Sequence, residues 1–395
     1  MKRKRPILAT LTLMLFASAL TCLIIASTYG RELGLFSGRF GYVREYAALL
    51  SRIDELYIGD YDEKDVAAAA NGAAVYSLGD RWSFYMTPDE YISYIDSISN
   101  RFVGIGISAS VDEETGGMRV ISVYKGSAAE TGGLTADDII ICIDGEDITN
   151  TEFDEMRILL SRQVGESVEL TVLRSGGVTE TLTVIYSYIY VDPVTYEMTE
   201  DNIGYIQLAN FESNSASSFI SAVDDCISNG ARAFIFDVRG NGGGKVSEMT
   251  RILDYLLPEG EIFVAVDRSG NEEVTLSGPG MIDMPCVVLV DRYSFSAAEY
   301  FAATLKEYGY ASVVGEQTTG KDRSQVTVTL PGGGALHISS AKFLTRNRVS
   351  LYETGGLTPD YQVDLTDDEF NLFITGNLEK ESDPQFLKAI ELLNS

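Results

Sequence analysis

Three short segments hold residue types that can do chemistry. Ser296 opens a helical run, Ala297–Tyr308, where free N–H groups and the helix dipole favour an anion. The same serine also suits a plain helix cap, because Ser296 and Glu299 have capping-box spacing. A second segment, the apolar strand ending at Asp237-Val238-Arg239, runs into Gly240-Asn241-Gly242-Gly243-Gly244. Such a loop can cradle a phosphate or aim its N–H groups at a developing oxyanion. The phosphate reading fails on spacing, since Arg239 stands where the first glycine of a P-loop belongs and Val246 where its Ser/Thr belongs. The third segment, Gly315–Gln325, carries Lys321. A lone loop lysine is usually solvated, yet an uncharged lysine amine beside a hydroxyl can serve as its base.

Composition narrows the alternatives. With 30 Lys+Arg against 58 Asp+Glu, the net charge of −28 disfavours nucleic acid as a partner. A single histidine leaves no room for a His-rich metal cluster, and no metal or cofactor is expected. That residue, His337, sits in a strand-like Leu-His-Ile and reads as structural. The four cysteines lack CxxC spacing; Cys142, Cys226 and Cys286 lie in or beside apolar runs and read as buried free thiols. Serine acyl-enzyme motifs of the SxxK type occur at Ser122/Lys125 and Ser339/Lys342, but both fall in strand-like runs without companion motifs.

The elements that must position these residues are of mixed α/β class. With 395 residues the chain is long enough for two or three domains. Residues 1–30 join a basic cluster, Lys2–Arg5, to a charge-free run that predicts a single-pass anchor in the cell membrane, with a cleaved signal peptide as the alternative and the remainder extracytoplasmic. Residues 31–100 read as a helical region, with Tyr46, Leu49, Ile53 and Leu56 at helical spacing and Thr87-Pro88-Asp89-Glu90 opening a further helix. Residues 101–188 change to short strands with glycine turns, interrupted by one helix, Glu152–Ser161, opened by Thr151 and Asp154 in capping-box style. Residues 189–395 alternate buried strands with helices and end in a hairpin around Pro331–Gly334.

The 101–188 segment resembles a PDZ domain. Gly104-Ile105-Gly106-Ile107 would hold a terminal carboxylate on backbone N–H groups, and the strand that follows could pair with an extended peptide. Met156, Leu159 and Leu160 on the short helix are candidates for one wall of the side-chain pocket.

Taken together, Asp237–Gly244, Ser294–Glu299, Gly315–Lys321, Gln325 and Leu357-Thr358-Pro359-Asp360 resemble the carboxyl-terminal processing (tail-specific) serine proteases, over about residues 45–364. The resemblance implies a crotonase-like α/β catalytic core with the PDZ domain inserted before it. It also implies Ser296 as nucleophile, Lys321, twenty-five residues on, as general base, and Gln325 as the residue orienting that lysine. The oxyanion donors would be the N–H groups of Ala297 and Gly243. Asp322 departs from the family's usual glycine and would raise the Lys321 pKa if it faced inward. In a straight strand Lys321 and Gln325 would stand ~13 Å apart, so their approach requires a bend. The substrates implied are proteins or peptides with a free C-terminus. The rival is a membrane-anchored PDZ peptide-binding protein with an inactive core. Oligomeric state is not legible.

Overall fold

The computed structural model describes residues 4–29 and 40–395, with side chains over 12–25 and 41–395. The chain divides into two units, residues 1–70 and 71–395.

The first unit is helical, with Lys4–Tyr29, Phe40–Leu56 and the start of Glu63–Tyr76. Tyr46, Leu49, Ile53 and Leu56 fall on the second of these helices, as their spacing predicts. The anchor expected over residues 1–30 is corrected: among the described residues no helix is long and apolar enough to cross a membrane.

In the second unit, Thr87 caps the helix Pro88–Ser97, which opens with Pro88 as expected, and the Glu90 carboxylate accepts the Thr87 N–H at 2.8 Å to form a capping box. The segment 101–190 then builds a six-stranded antiparallel sheet from strands 107–111, 118–123, 139–143, 146–147, 167–173 and 179–185. A separate pair, 101–104 with 187–190, closes its base. Its core is Val120, Ile140, Ile148, Met156, Leu170 and Val184. The short helix spans Phe153–Leu159, and Glu152, not Thr151, takes the cap position without a side-chain hydrogen bond. Thr151 thus lies one residue too early for its hydroxyl to reach the helix N–H groups, and the capping box expected there does not form.

The remaining residues form two sheets. The larger has the order 194–198, 203–208, 233–237, 286–290, 311–315, 361–362, with the first pair antiparallel and the rest parallel. Every residue of Ala233–Asp237 and Cys286–Val290 is buried, which is why these strands read as unbroken apolar runs. Helices Ser215–Ser228, Val246–Leu256 and Ala297–Glu307 contribute Phe219, Leu253 and Phe301 to the core on one face. Pro384–Leu393 contributes Phe386 and Ala389 to the other. Each large apolar side chain so buried contributes about 1.5–3 kcal/mol. The second sheet joins strands 260–267, 272–277, 323–329 and 335–344 to Phe84–Met86 from ahead of the 101–190 segment. The chain therefore begins this sheet, leaves to build the smaller domain, and returns.

Candidate active site

The glycine loop follows the central strand 233–237. At its base the buried Asp237 carboxylate pairs with Arg239, whose guanidinium also reaches Asp383 at 2.8 Å and Gln385 at 2.9 Å on the C-terminal helix. A buried charge pair of this kind survives only when its hydrogen-bonding capacity is filled, as it is here. Gly240 has φ +66° and donates to Asp291 Oδ1 at 3.0 Å. Asn241, fully buried, donates to Leu208 O at 2.7 Å and accepts the Gly243 N–H at 2.8 Å. Gly243 has φ +88°, and a β-carbon there would stand 2.8 Å from Ser296 Cβ and 2.9 Å from the Ala297 nitrogen. Only glycine permits this approach.

The next strand, 286–290, leads into Asp291–Ser296. Ser294 ties the two loops together: its hydroxyl donates to Val238 O at 2.7 Å and accepts the Asp291 N–H at 3.0 Å. Ser296, 7% exposed, has φ +58° and ψ −125°. For a non-glycine residue that conformation costs on the order of 1–3 kcal/mol and departs from the extended backbone of an ordinary helix cap. Glu299 does accept the Ser296 N–H at 2.9 Å, as the capping-box spacing suggests. The Ala297 N–H, at the first helical position, is among the four that the helix cannot satisfy itself.

Glu299 does more than cap. Its fully buried carboxylate also accepts the Gly320 N–H at 2.6 Å, the Lys321 N–H at 2.9 Å and the Thr318 hydroxyl at 2.5 Å. Burial pushes this carboxyl upward in pKa, against the four hydrogen bonds that hold it down. Outside this knot, Arg292 clamps the two loops by a forked pair to Glu316, 2.7 and 2.9 Å.

Ser296, Lys321 and Gln325 line one cavity of about 530 Å³, shared with Glu212, Tyr94 and His337. Burial lowers the Lys321 pKa to about 8, opposed by the charges of Asp80, Glu299 and Glu212 and assisted by Arg81. Glu212 is pushed up to about 7 by burial; its Oε2 has no hydrogen-bond partner, and Lys245 Nζ stands 3.9 Å away. His337 packs on Phe84 and contacts the Thr327 hydroxyl at 2.9 Å, and burial lowers its pKa. A bulge between Ser324 and Gln325 breaks the strand register, and Gln325 lines the cavity. Its amide donates to Arg323 O at 3.0 Å and Ser339 Oγ at 3.2 Å, and not to Lys321. Asp322 is buried and turns to the Ser350 hydroxyl at 2.7 Å and to Arg323 at 3.4 Å.

In the smaller domain, Gly104, Ile105, Gly106 and Ile107 line a groove of about 300 Å³ with Phe102, Phe153 and Leu160. The strand 107–111 pairs on one side only, leaving an edge open. Met156 is not a wall of this groove: it is wholly buried in the domain core, because its position on the short helix faces the sheet. Cys226 and Cys286 are buried free thiols, as expected, while Cys142 is free but only half-buried.

Sequence reasoning missed Glu299 as a shared acceptor, Asn241 as the partner of Gly243, and Glu212. Only Glu299 left a signal, its spacing from Ser296. Asn241 holds Gly243 from two residues away but is itself fixed by Leu208 O from a distant strand, and Glu212 meets Lys245 across separate segments.

Residues 202–363 match the model of peptidase family S41, and residues 93–173 match that of the PDZ domain. The chain is 32% identical over 308 residues to the carboxy-terminal processing protease CtpA of Bacillus subtilis, covering 78% of this chain and 65% of that protein. It is 31% identical over 335 residues to a carboxyl-terminal-processing protease of Picosynechococcus, covering 84% of this chain and 80% of the relative. Among solved structures, a Bacteroides fragilis protein assigned to the S41 proteases superimposes with a TM-score of 0.53 at 18% identity, over 86% of this chain and 92% of that one, a likeness of fold. With the match to S41 over the catalytic sheets, a PDZ domain ahead of it, and these relatives, the chain belongs to the carboxyl-terminal processing serine proteases of family S41.

Proposed function

We propose that this chain is an endopeptidase in which Ser296 is the nucleophile and Lys321 its general base. The observation that carries the reading is the shared cavity: a strained serine at a helix start and a half-buried lysine open into the same space, both hung by their backbones on Glu299. In the uncharged state Lys321 accepts the Ser296 hydroxyl proton as Oγ attacks the peptide carbonyl. The resulting ammonium gives that proton to the leaving amine, and a water then repeats the sequence to release the acyl group. The Ala297 N–H faces the developing oxyanion, and the Gly243 N–H joins it by leaving Asn241 Oδ1. Gln325 orients the lysine after giving up its present contacts with Arg323 and Ser339.

The substrate reaches this site by its tail. A free C-terminal carboxylate docks on the Gly104–Ile107 backbone, and the peptide adds to the open edge of 107–111. A location outside the cytoplasm is part of the same proposal and rests on the basic cluster Lys2–Arg5 ahead of an uncharged run. Hydrolysis of an unfolded polypeptide by the full chain, lost in Ser296→Ala, tests the activity. Undiminished hydrolysis by Ser296→Ala overturns it.

A further inference from the structure

The base of the proposed dyad has an unusual neighbour. Trp82, the chain's single tryptophan, places its ring centroid 4.4 Å from Lys321 Nζ, and the Phe295 ring lies 5.7 Å from the same nitrogen. The two rings pack on each other at 5.6 Å and 34°. One comes from the turn ahead of the PDZ domain and the other from the nucleophile loop. Hydrogen bonds hold the turn in place. Asp80 accepts the Trp82 N–H at 3.1 Å and the Ser83 hydroxyl at 2.6 Å, and Ser83 Oγ accepts the Ser339 N–H at 3.0 Å.

Trp82 also lines a separate cleft of about 440 Å³ with Gly79, Asp80, Arg81, Thr319 and Tyr352. Lys321 lines the Ser296 cavity and not this cleft. The indole therefore stands between an outer cleft and the lysine amine. We propose that Trp82 is a positioning residue for Lys321, a shutter that keeps water from its amine and so fits it to act as a base. The proposal rests on the Ser296–Lys321 reading for its catalytic consequence, but the shielding itself can be read without turnover.

Two effects of the ring oppose each other. Its π face favours an ammonium by ~0.5–2 kcal/mol. Its bulk removes water and disfavours the ammonium, an effect that reaches 3–5 pKa units for fully buried groups. The charges facing Lys321 are Asp80, Glu299 and Glu212, which favour the ammonium, and Arg81, which stands 4.1 Å from the same indole and opposes it; His337 is the neighbouring titratable ring. Three carboxylates against one guanidinium leave the charges alone favouring the ammonium. Exclusion of water must outweigh them for the amine to be uncharged near neutrality.

Two measurements test the shutter. In the full chain the emission of Trp82 should titrate near pH 8 in wild type and in Ser296→Ala, and this transition should vanish in Lys321→Met. In the pH dependence of kcat/KM, Trp82→Ala should move the midpoint upward by about a unit or more, so activity at pH 7 falls about tenfold and largely returns by pH 9–10. Trp82→Phe, which keeps an apolar ring, should move it less. A purely structural role would lower activity at every pH and leave the midpoint in place. An unshifted midpoint in Trp82→Ala, or an emission transition that persists in Lys321→Met, overturns the proposal. Loss of the dyad reading alone would leave the emission transition intact.

Discussion

Glu299 accepts the Lys321 N–H on the same carboxylate oxygen that holds the Ser296 N–H, each at 2.9 Å. Ser296 and Lys321 come from different loops, yet one buried atom sets the position of both backbones. A carboxylate suits this task because it offers acceptors only, and four donors converge on it.

Glu299→Gln replaces one acceptor oxygen by a donor that faces N–H groups. Leaving buried donors unmatched costs about 1–3 kcal/mol each. The variant should melt several degrees lower and lose at least about a hundredfold in kcat/KM, as expected when reacting groups move by ~1 Å. Thermal melts and peptide kinetics check this, and wild-type values in both would show that the shared acceptor is dispensable.

Gly243→Ala tests the glycine loop. The new methyl would stand 2.8 Å from Phe295 O and from Ser296 Cβ, at φ +88°. Losing an oxyanion donor costs about a hundredfold or more in kcat, and displacement of Ser296 adds to that. Burst kinetics with an activated ester should show acylation, and not only turnover, slowed by this factor.

Much of this site is legible from local signals. The apolar runs of 233–237 and 286–290 mark the central strands, and Ser296 and Lys321, singled out by their motifs, line one cavity. What resists reading depends on contacts between distant segments. Gln325 faces the cavity through a bulge that no residue type announces, and Trp82 meets Lys321 only because Phe84–Met86 pairs with Ala335–Leu344. The Thr151 cap fails by one residue, since the helix takes Glu152 as its cap. The N-terminal helix shows the opposite error, where an uncharged run alone over-predicted a membrane span.

The proposed tail-binding role of the Gly104–Ile107 groove makes a separable prediction. A β-carbon at Gly106 would stand 2.3 Å from Ser127 Cβ, and φ is +86°. Gly106→Val should therefore raise KM for a tailed polypeptide roughly tenfold or more while leaving hydrolysis of a small ester in place. Amidating the substrate's C-terminus should do the same to the wild type. Equal KM for free and amidated substrates would remove the carboxylate from the recognition scheme.

Asp322 faces away from the base. Its carboxylate turns to Ser350 and Arg323, so Asp322→Asn should shift the pH–activity midpoint by less than about 0.3 unit while lowering stability through the lost charge pair. Profiles compared across pH 6–10 decide it. A downward shift of a unit would mean that the carboxylate acts on Lys321 after all.

The central claim is that an uncharged Lys321 removes the Ser296 proton. With the Lys321 pKa lowered to about 8 by burial, the active fraction is small below pH 7 and grows as pH rises through 8. A guanidinium stays protonated throughout, so Lys321→Arg keeps a positive charge but supplies no base. The most direct measurement is kcat/KM for one unfolded polypeptide from pH 6 to 10, in wild type, Lys321→Arg and Ser296→Ala. Wild-type activity should rise with a midpoint near pH 8, and both variants should stay at least about a hundredfold lower at every pH. Substantial hydrolysis by Lys321→Arg, with the wild-type pH dependence, would contradict the dyad.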